Sequence, residues 1–245
     1  MDIPILFRDA RFVVLDKPAG LPVHAGPRGG PSVEDCFPAL SRRRDGPWLA
    51  HRLDADTAGC LVVALRRAAL HEAQTAFAAG QVQKTYWVVV RGLPPGEAGV
   101  VDAQLRRHSD PQGWRMLTGP GGQEAVSAWR LLGRGERCGE ENSWLEVSPR
   151  TGRTHQVRVH CAALGCPVLG DPIYGGDGGT SRLHLLARAI ALPLNPPVAA
   201  VAPVPSHMRA ALTACGWNSS PSADQEPAAE QQRFRPGLPV KPRQT

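Results

Sequence analysis

The first residues whose types suit chemistry lie at 51–59 and read HRLDADTAG. Two carboxylates, Asp54 and Asp56, stand there among basic and hydroxyl side chains, immediately before an apolar run. Loops held by rigid elements are where catalytic groups concentrate. The same residues also suit a turn in which the aspartates accept backbone N–H groups, and local chemistry alone favours that turn. The pattern therefore makes Asp54 and Asp56 candidate catalytic carboxylates, with the turn as the alternative interpretation.

A second group occupies residues 149–160, where three arginines and two histidines fall within twelve positions. Arginines at the start of a helix suit the binding of phosphate or of a carboxylate. A solvated basic face is the common alternative. His155 and His160 are five residues apart, so they do not share a helix face as zinc ligands would, and we predict no metal site.

A third candidate is Tyr86, which lies in a strand predicted over residues 82–90. Its ring offers a stacking surface and a phenol oxygen to a nucleobase. Taken alone, an aromatic residue in a strand is more often part of the core.

Composition limits the class of protein. The net charge of +6 fits a polyanionic partner without requiring one. The longest apolar run, residues 60–65, is too short to span a bilayer, and the N-terminus lacks a secretory pattern, so we expect a cytoplasmic protein with no membrane contact. The six cysteines lack the paired spacing of a zinc knuckle, and we interpret them as reduced buried thiols.

The elements that must position these groups are mainly strands. Periodicity predicts strands at 5–18 (two), 61–65, 82–90, 144–149 and 183–190, and helices at 32–40, 67–79, 155–164 and 205–215. Thr154 is the expected cap of the third helix. Residues 100–132 read as short strands separated by glycine-rich turns. The mixture predicts an α+β fold with a mixed, mostly antiparallel central sheet flanked by helices and loops.

We predict one catalytic domain over residues 1–217. The remainder, 218–245, is rich in Ser, Pro, Gln, Ala and Glu and has the composition of a disordered tail.

Five segments together carry a resemblance. HRLDADTAG is similar to the motif HRLDxxTSG, with Ala58 in place of the usual Ser, and TGRTHQVRVHCAALGCPVLGDPIYGG at 151–176 is similar to TGRTHQIRVH followed by GxPIxGDxxYG. QVQKTYWVVVRG, FVVLDKPAGLPVH and RLHLLARAIALPLNPP match a K-x-Y strand, an N-terminal strand and loop, and a closing strand. In their order along residues 5–217 they resemble the RluA-type family of RNA pseudouridine synthases.

The resemblance implies the pseudouridine synthase fold and an enzyme that isomerises uridine in structured RNA without a cofactor. It implies that Asp54 is the catalytic carboxylate and that Arg158 is its bidentate partner, with Arg153 next. Tyr86 would stack on the uracil and help to remove the C5 proton, and Arg52 would fill the space left by the flipped uridine. Further substrate contacts are expected from His51, Thr57, Arg153, His155 and Gln156.

Several alternatives stay open. Asp54 attacks C1′ as a nucleophile or removes the C2′ proton, and the target is large-subunit ribosomal RNA or transfer RNA, read by the loops at 24–31 and 102–124. We expect a monomer. A catalytically inactive RNA-binding or ribosome-assembly factor is a second class, although it needs no complete Asp54, Tyr86 and Arg158 set. A glycosidase or nucleosidase using Asp54 and Asp56 as a pair is a third, and it predicts free uracil.

Overall fold

A computed structural model describes residues 2–26, 29–42, 45–111, 113–137, 139–175 and 182–218. The predicted tail lies outside these ranges, apart from Asn218. The strands are β1 Ile5–Arg8, β2 Phe12–Lys17, β3 Trp48–Leu49, β4 Ala58–Ala64, β5 Gln83–Arg91, β6 Ala98–Asp110, β7 Gly113–Thr118, β8 Gln123–Arg137, β9 Glu140–Pro149, β10 Leu185–Leu192 and β11 Val198–Val201. The helices are a 3₁₀ turn at Val33–Cys36, α1 Phe37–Leu40, α2 Arg67–Ala78, α3 Gln156–Ala163 and α4 Ser206–Ala214.

All eleven strands of the described ranges join one sheet in the order β1-β2-β4-β10-β5-β9-β8-β6-β7, with β11 beside β10 and β3 beside β4. The pair β4–β10 is parallel, and the other pairings of the described strands are antiparallel. The prediction of an α+β fold with a mixed, mostly antiparallel sheet is confirmed.

The core lies on both faces of the central strands. All seven residues of β4 are buried, as expected for a near-continuous apolar run in mid-sheet. Alternate side chains of β2 and β4 pack with α2 and α4 on one face and with α1 on the other. Strand β4 leaves the loop that carries Asp54, so this rigid centre holds that loop in place.

Gly59, at the start of β4, is required by its surroundings. Its φ of +107° lies in the region that favours glycine, and a Cβ there would meet the Ala187 carbonyl oxygen at 2.3 Å. This close approach allows Gly59 to pair with Ala187 of β10, directly after the 51–57 loop.

The structure corrects the sequence prediction in three places. Residues 98–137 contain two long strands, β6 with 13 residues and β8 with 15, and the six-residue strand β7, so the segment 102–124 is mainly strand and not loop. The predicted helix at 32–40 is a 3₁₀ turn followed by a single α-helical turn. Helix α3 is preceded by His155 and not capped by Thr154. The short strands β3 and β11 were not predicted, because neither has a period long enough to detect.

Candidate active site

A cavity of about 870 Å³ opens where the loop before β4, strand β5 and the start of α3 meet. The three sequence groups, which are far apart in the chain, contribute to one wall. All nine predicted site residues line it: His51, Arg52, Asp54, Thr57, Tyr86, Arg153, His155, Gln156 and Arg158. The fold therefore assembles one pocket from all three groups.

Asp54 presents its carboxylate to this cavity. The loop is closed as a turn by the Thr57 N–H, which donates to the Asp54 carbonyl oxygen at 3.1 Å. The Asp54 side chain is 27% exposed, and one carboxylate oxygen lies 3.8 Å from Nη1 of Arg158 and 3.9 Å from Nε2 of His155. Both distances exceed a hydrogen bond. If Asp54 served only to stabilise a turn, its carboxylate would accept backbone N–H groups. In the described chain it contacts the side chains of Arg158 and His155 instead, so it stays accessible to a ligand.

The Arg158 guanidinium binds a different carboxylate most closely. Its Nε and Nη2 donate to the two oxygens of Asp171, both at 2.7 Å. The expectation that Arg158 forms a bidentate pair with Asp54 is therefore wrong, and only Nη1 faces Asp54. The physical reason is burial: Asp171 is fully buried, and a buried carboxylate needs the fuller set of partners.

Asp171 is saturated with donors. Besides Arg158, the N–H groups of Ile173 and Tyr174 donate to Oδ1 at 2.9 and 3.1 Å. Burial by itself raises the pKa of Asp171, but the guanidinium and these two N–H groups together hold that pKa below its ordinary value. The pair Arg158–Asp171 is thus a fixed ionic unit behind the cavity.

Gln156 positions the start of α3. Its Nε2 donates to the Val126 carbonyl and to Ser127 Oγ, and its Oε1 accepts from the Thr151 hydroxyl and from the Arg153 N–H. All the donors and acceptors of this amide are occupied by protein. The expected substrate contact of Gln156 is therefore replaced by a structural role that ties α3 to β8.

His155 connects the cavity to its rim. It has a left-handed backbone with φ of 54°, and its Nδ1 lies 3.0 Å from the Tyr174 hydroxyl. Its ring stacks on Trp114 of β7, with centroids 5.0 Å apart and planes 22° apart. Burial lowers the pKa of His155, against the opposing charge of Asp54. A neutral imidazole is thus held between Asp54 and the β6–β7 hairpin.

Tyr86 is half-buried in β5 and faces the cavity. Burial, and then the charge of Asp54, raise the pKa of its phenol. A raised pKa keeps the proton on the phenol, which suits stacking and hydrogen bonding and opposes the expected removal of a proton by this group.

The remaining predicted residues differ in accessibility. Arg52 is exposed at the mouth of the cavity, whereas Thr57 is buried beneath it. Arg153 uses Nε to bind the Glu124 carbonyl at 3.0 Å. His51 Nε2 accepts the Val62 N–H at 3.1 Å, so this nitrogen is occupied by the protein, and the substrate contact expected of His51 stays a prediction. Burial lowers the pKa of His51 to about 4, which keeps the ring neutral.

Asp56 points elsewhere. It is exposed and lines a separate cavity of about 280 Å³ with Pro172 and Arg182, while Asp54 lines the larger one. The carboxylate pair that a glycosidase or nucleosidase would require is therefore not formed. Within the described ranges, no three His, Cys, Asp or Glu side chains group as metal ligands would, and no helix has the length and apolarity to cross a bilayer.

Sequence reasoning assigned no role to Lys17, which is fully buried beneath the Asp54 loop. Its Nζ donates to the carbonyl oxygens of Pro18, Leu21 and Ala55 at 2.9, 2.7 and 2.7 Å. Burial lowers the pKa of Lys17 to about 8, against the charges of Asp56 and Asp54. This ammonium group fixes the residue next to Asp54. The signal was the segment DKPAG, whose single lysine ends the buried strand β2.

Asp171 and Tyr174 were also missed as site residues. Both lie in the segment GDPIYG, at the end of the second signature. The sequence marks this segment, but it does not say which arginine Asp171 binds.

Known proteins resemble the chain in sequence and in structure. Residues 11–163 match the family described as RNA pseudouridylate synthase. An uncharacterized RNA pseudouridine synthase of Zymomonas mobilis is 38% identical over 208 residues, which cover 82% of this chain and 93% of that protein. The ribosomal large subunit pseudouridine synthase C of Vibrio cholerae is 33% identical over 220 residues, or 85% of this chain and 68% of the relative. The human RNA pseudouridylate synthase domain containing 4 superposes with a TM-score of 0.72 at 28% identity, covering 86% of this chain and 92% of the human one.

Proposed function

The chain belongs to the RNA pseudouridylate synthase family and isomerises uridine in RNA, and we propose that Asp54 is the group that reacts. The observation that carries this proposal is the position of its carboxylate, accessible in a cavity of about 870 Å³ and facing an arginine that a second carboxylate holds in place. No other carboxylate of the three sequence groups lines that cavity.

The reaction needs one carboxylate and no oxidation or reduction. The N1–C1′ bond of uridine breaks, the uracil turns, and a C1′–C5 bond forms while the C5 proton leaves and N1 takes up a proton. Asp54 either bonds transiently to C1′ or removes the C2′ proton to give a glycal, and in both routes it acts on the ribose. The isomerisation therefore proceeds with side chains already present.

Arg158 keeps a positive charge beside Asp54 because Asp171 fixes the guanidinium in orientation. A guanidinium that is already fixed loses no conformational freedom when the substrate binds. Charges preorganised in this way lower the activation barrier. Lys17 has the same effect on the backbone, since it anchors the Ala55 carbonyl. We therefore assign Arg158 to the site and Asp171 and Lys17 to positioning.

Tyr86 stacks on the target uracil and keeps its phenol proton, and Arg52 fills the space that the flipped uridine leaves. Flipping costs a few kcal/mol, which stacking and phosphate contacts offset. The removal of the C5 proton with the help of Tyr86 stays a prediction, and the raised pKa of its phenol weighs against it.

The target is large-subunit ribosomal RNA or transfer RNA. The similarity to a protein named as a large-subunit ribosomal RNA enzyme supports the first. Mapping of pseudouridine in total RNA from cells with and without the gene identifies the position. One catalytic domain over residues 1–217, a monomeric state and a cytoplasmic location stay predictions.

The decisive variant is Asp54→Asn, with Asp56→Asn as its matched control. We expect the first to lower tritium release from RNA labelled at uridine C5 by at least about a thousandfold, because the reacting group is lost. Asp56→Asn should stay close to the unsubstituted enzyme, since that carboxylate faces the smaller cavity. Full activity of Asp54→Asn would refute the assignment, and a wild-type protein that releases no tritium would favour the inactive RNA-binding factor.

A further inference from the structure

An exposed aromatic ring stands at the rim of the catalytic cavity and has no part in the chemistry. Trp114 is 42% exposed, and it is the only aromatic residue among the large apolar side chains that the described ranges expose. It lines the cavity from β7, a strand of the outer edge of the sheet. An indole at such a position lies outside the core, and its exposed part is accessible to a ligand.

Trp114 has a basic neighbour on the paired strand of the β6–β7 hairpin. In the β6–β7 register Ser109 pairs with Trp114 and Arg107 pairs with Met116, so Arg107 and Trp114 project from the same face of the hairpin. The guanidinium carbon of Arg107 lies 4.9 Å from the centroid of the indole ring. Arg106, one residue earlier, projects from the opposite face. The hairpin thus presents a planar cation and an aromatic ring together.

The ring is also held in orientation. The imidazole of His155 stacks on it, and Nε2 of the same imidazole lies 3.9 Å from the Asp54 carboxylate. The Met116 N–H donates to the Tyr174 hydroxyl at 3.0 Å, which ties the same strand to the segment that holds Asp171. The indole therefore stands one imidazole ring away from the reacting carboxylate, at a fixed distance.

We propose that Trp114 and Arg107 form a stacking subsite for one unpaired nucleobase next to the target uridine, with Arg107 also contacting the adjoining phosphate. This inference rests on the proposed function. A uridine flipped into the cavity leaves its chain neighbours at the rim, and unpaired bases in RNA are bound by stacking on aromatic rings and on guanidinium planes. Stacking accepts every base, so this subsite selects an unpaired loop and does not read its sequence.

The test uses Trp114→Ala, Trp114→Phe and Arg107→Ala on a hairpin transcript that carries the mapped uridine in its loop, labelled with tritium at C5. Trp114→Ala should raise KM and Kd about tenfold, the order of one lost base stack, with little change in kcat. Trp114→Phe should recover most of the loss. Arg107→Ala should weaken binding and flatten its salt dependence. Arg106→Ala, on the other face of β6, and Leu93→Ala, an exposed apolar residue outside the cavity, are the controls.

Abasic substitution of the RNA locates the base. Removing the base that occupies the subsite should weaken binding to the wild-type enzyme about as much as Trp114→Ala does, and should have little further effect on that variant. Unchanged KM and Kd for Trp114→Ala, or no abasic position that couples to it, would overturn the subsite. A fall in kcat alone would show that the indole only supports His155, and would also overturn it.

The outcome is separable from that of the proposed function. If the wild-type enzyme releases no tritium from any RNA, the proposed function fails, and binding of single-stranded oligouridine then tests the subsite. Equal affinity of wild type and Trp114→Ala for oligouridine would overturn the subsite. Weaker binding by Trp114→Ala would support Trp114 as an RNA contact.

Discussion

Two carboxylates share the guanidinium of Arg158, and they lie in opposite environments. Asp171, in the segment after α3, is fully buried and accepts two side-chain and two backbone hydrogen bonds. Asp54, in the loop before β4, is 27% exposed and contacts the same guanidinium only at 3.8 Å. One carboxylate is saturated and the other is left with capacity for a ligand.

In the proposed function, this difference separates the carboxylate that positions Arg158 from the carboxylate that reacts. Asp171 is fully buried and already accepts four hydrogen bonds from the protein, so it stabilises and orients Arg158. A carboxylate with one long ionic contact keeps the nearby positive charge and its own reactivity. Nε and Nη2 of Arg158 therefore bind Asp171 and stabilise the fold, whereas Nη1 faces Asp54 in the cavity.

The largest effect expected from this comparison is on stability. Asp171→Ala should lower the free energy of unfolding by about 3–5 kcal/mol, because it leaves a buried guanidinium without its partner. Asp54→Ala should cost less than about 1 kcal/mol, because its ionic contact is long and partly exposed. Urea denaturation of the two variants measures both, and equal losses would contradict the division of roles.

The next effect is on activity. Arg158→Ala should lower kcat/KM for tritium release by at least about a hundredfold, since it removes the fixed positive charge beside Asp54. Arg153→Ala, its matched control, loses one hydrogen bond to the Glu124 carbonyl, worth about 1 kcal/mol, and should be milder. Comparable losses would show that Arg158 is not the arginine that serves Asp54.

The smallest effect concerns pH. Because the folded-state pKa of Asp171 is held below the ordinary value of about 4, the stabilisation is fully present above pH 4 or so. As pH falls below that value the unfolded chain takes up the proton first, and stability is lost until the folded-state pKa is passed. The stability gap between wild type and Asp171→Asn should therefore shrink on acidification. A gap that is constant from neutral pH to about pH 3 would contradict this.

Much of the scaffold could be predicted from the sequence, because its signals are local. Helix α2 has apolar residues at helical spacing followed by glycine, and it was predicted close to its bounds. Strand β4 is an apolar run that was also predicted, although it begins three residues before the expected start at 61. The motifs around Asp54 and Arg158 marked two of the segments that line the cavity. Strands β6 and β8 were predicted too short, since their polar faces and internal glycines look like turns when the paired strand is not known.

The types of the reacting and binding side chains were determined by the sequence alone, because residue identity and spacing survive without coordinates. Tertiary structure decided which partner each of them received. Arg158 and Asp171 are thirteen residues apart in the sequence. Only the packing of the segment after α3 buries Asp171 and places it where it accepts two hydrogen bonds from the guanidinium. The placement of Trp114 one ring from Asp54 likewise depends on the docking of β7 against α3, which no local pattern encodes.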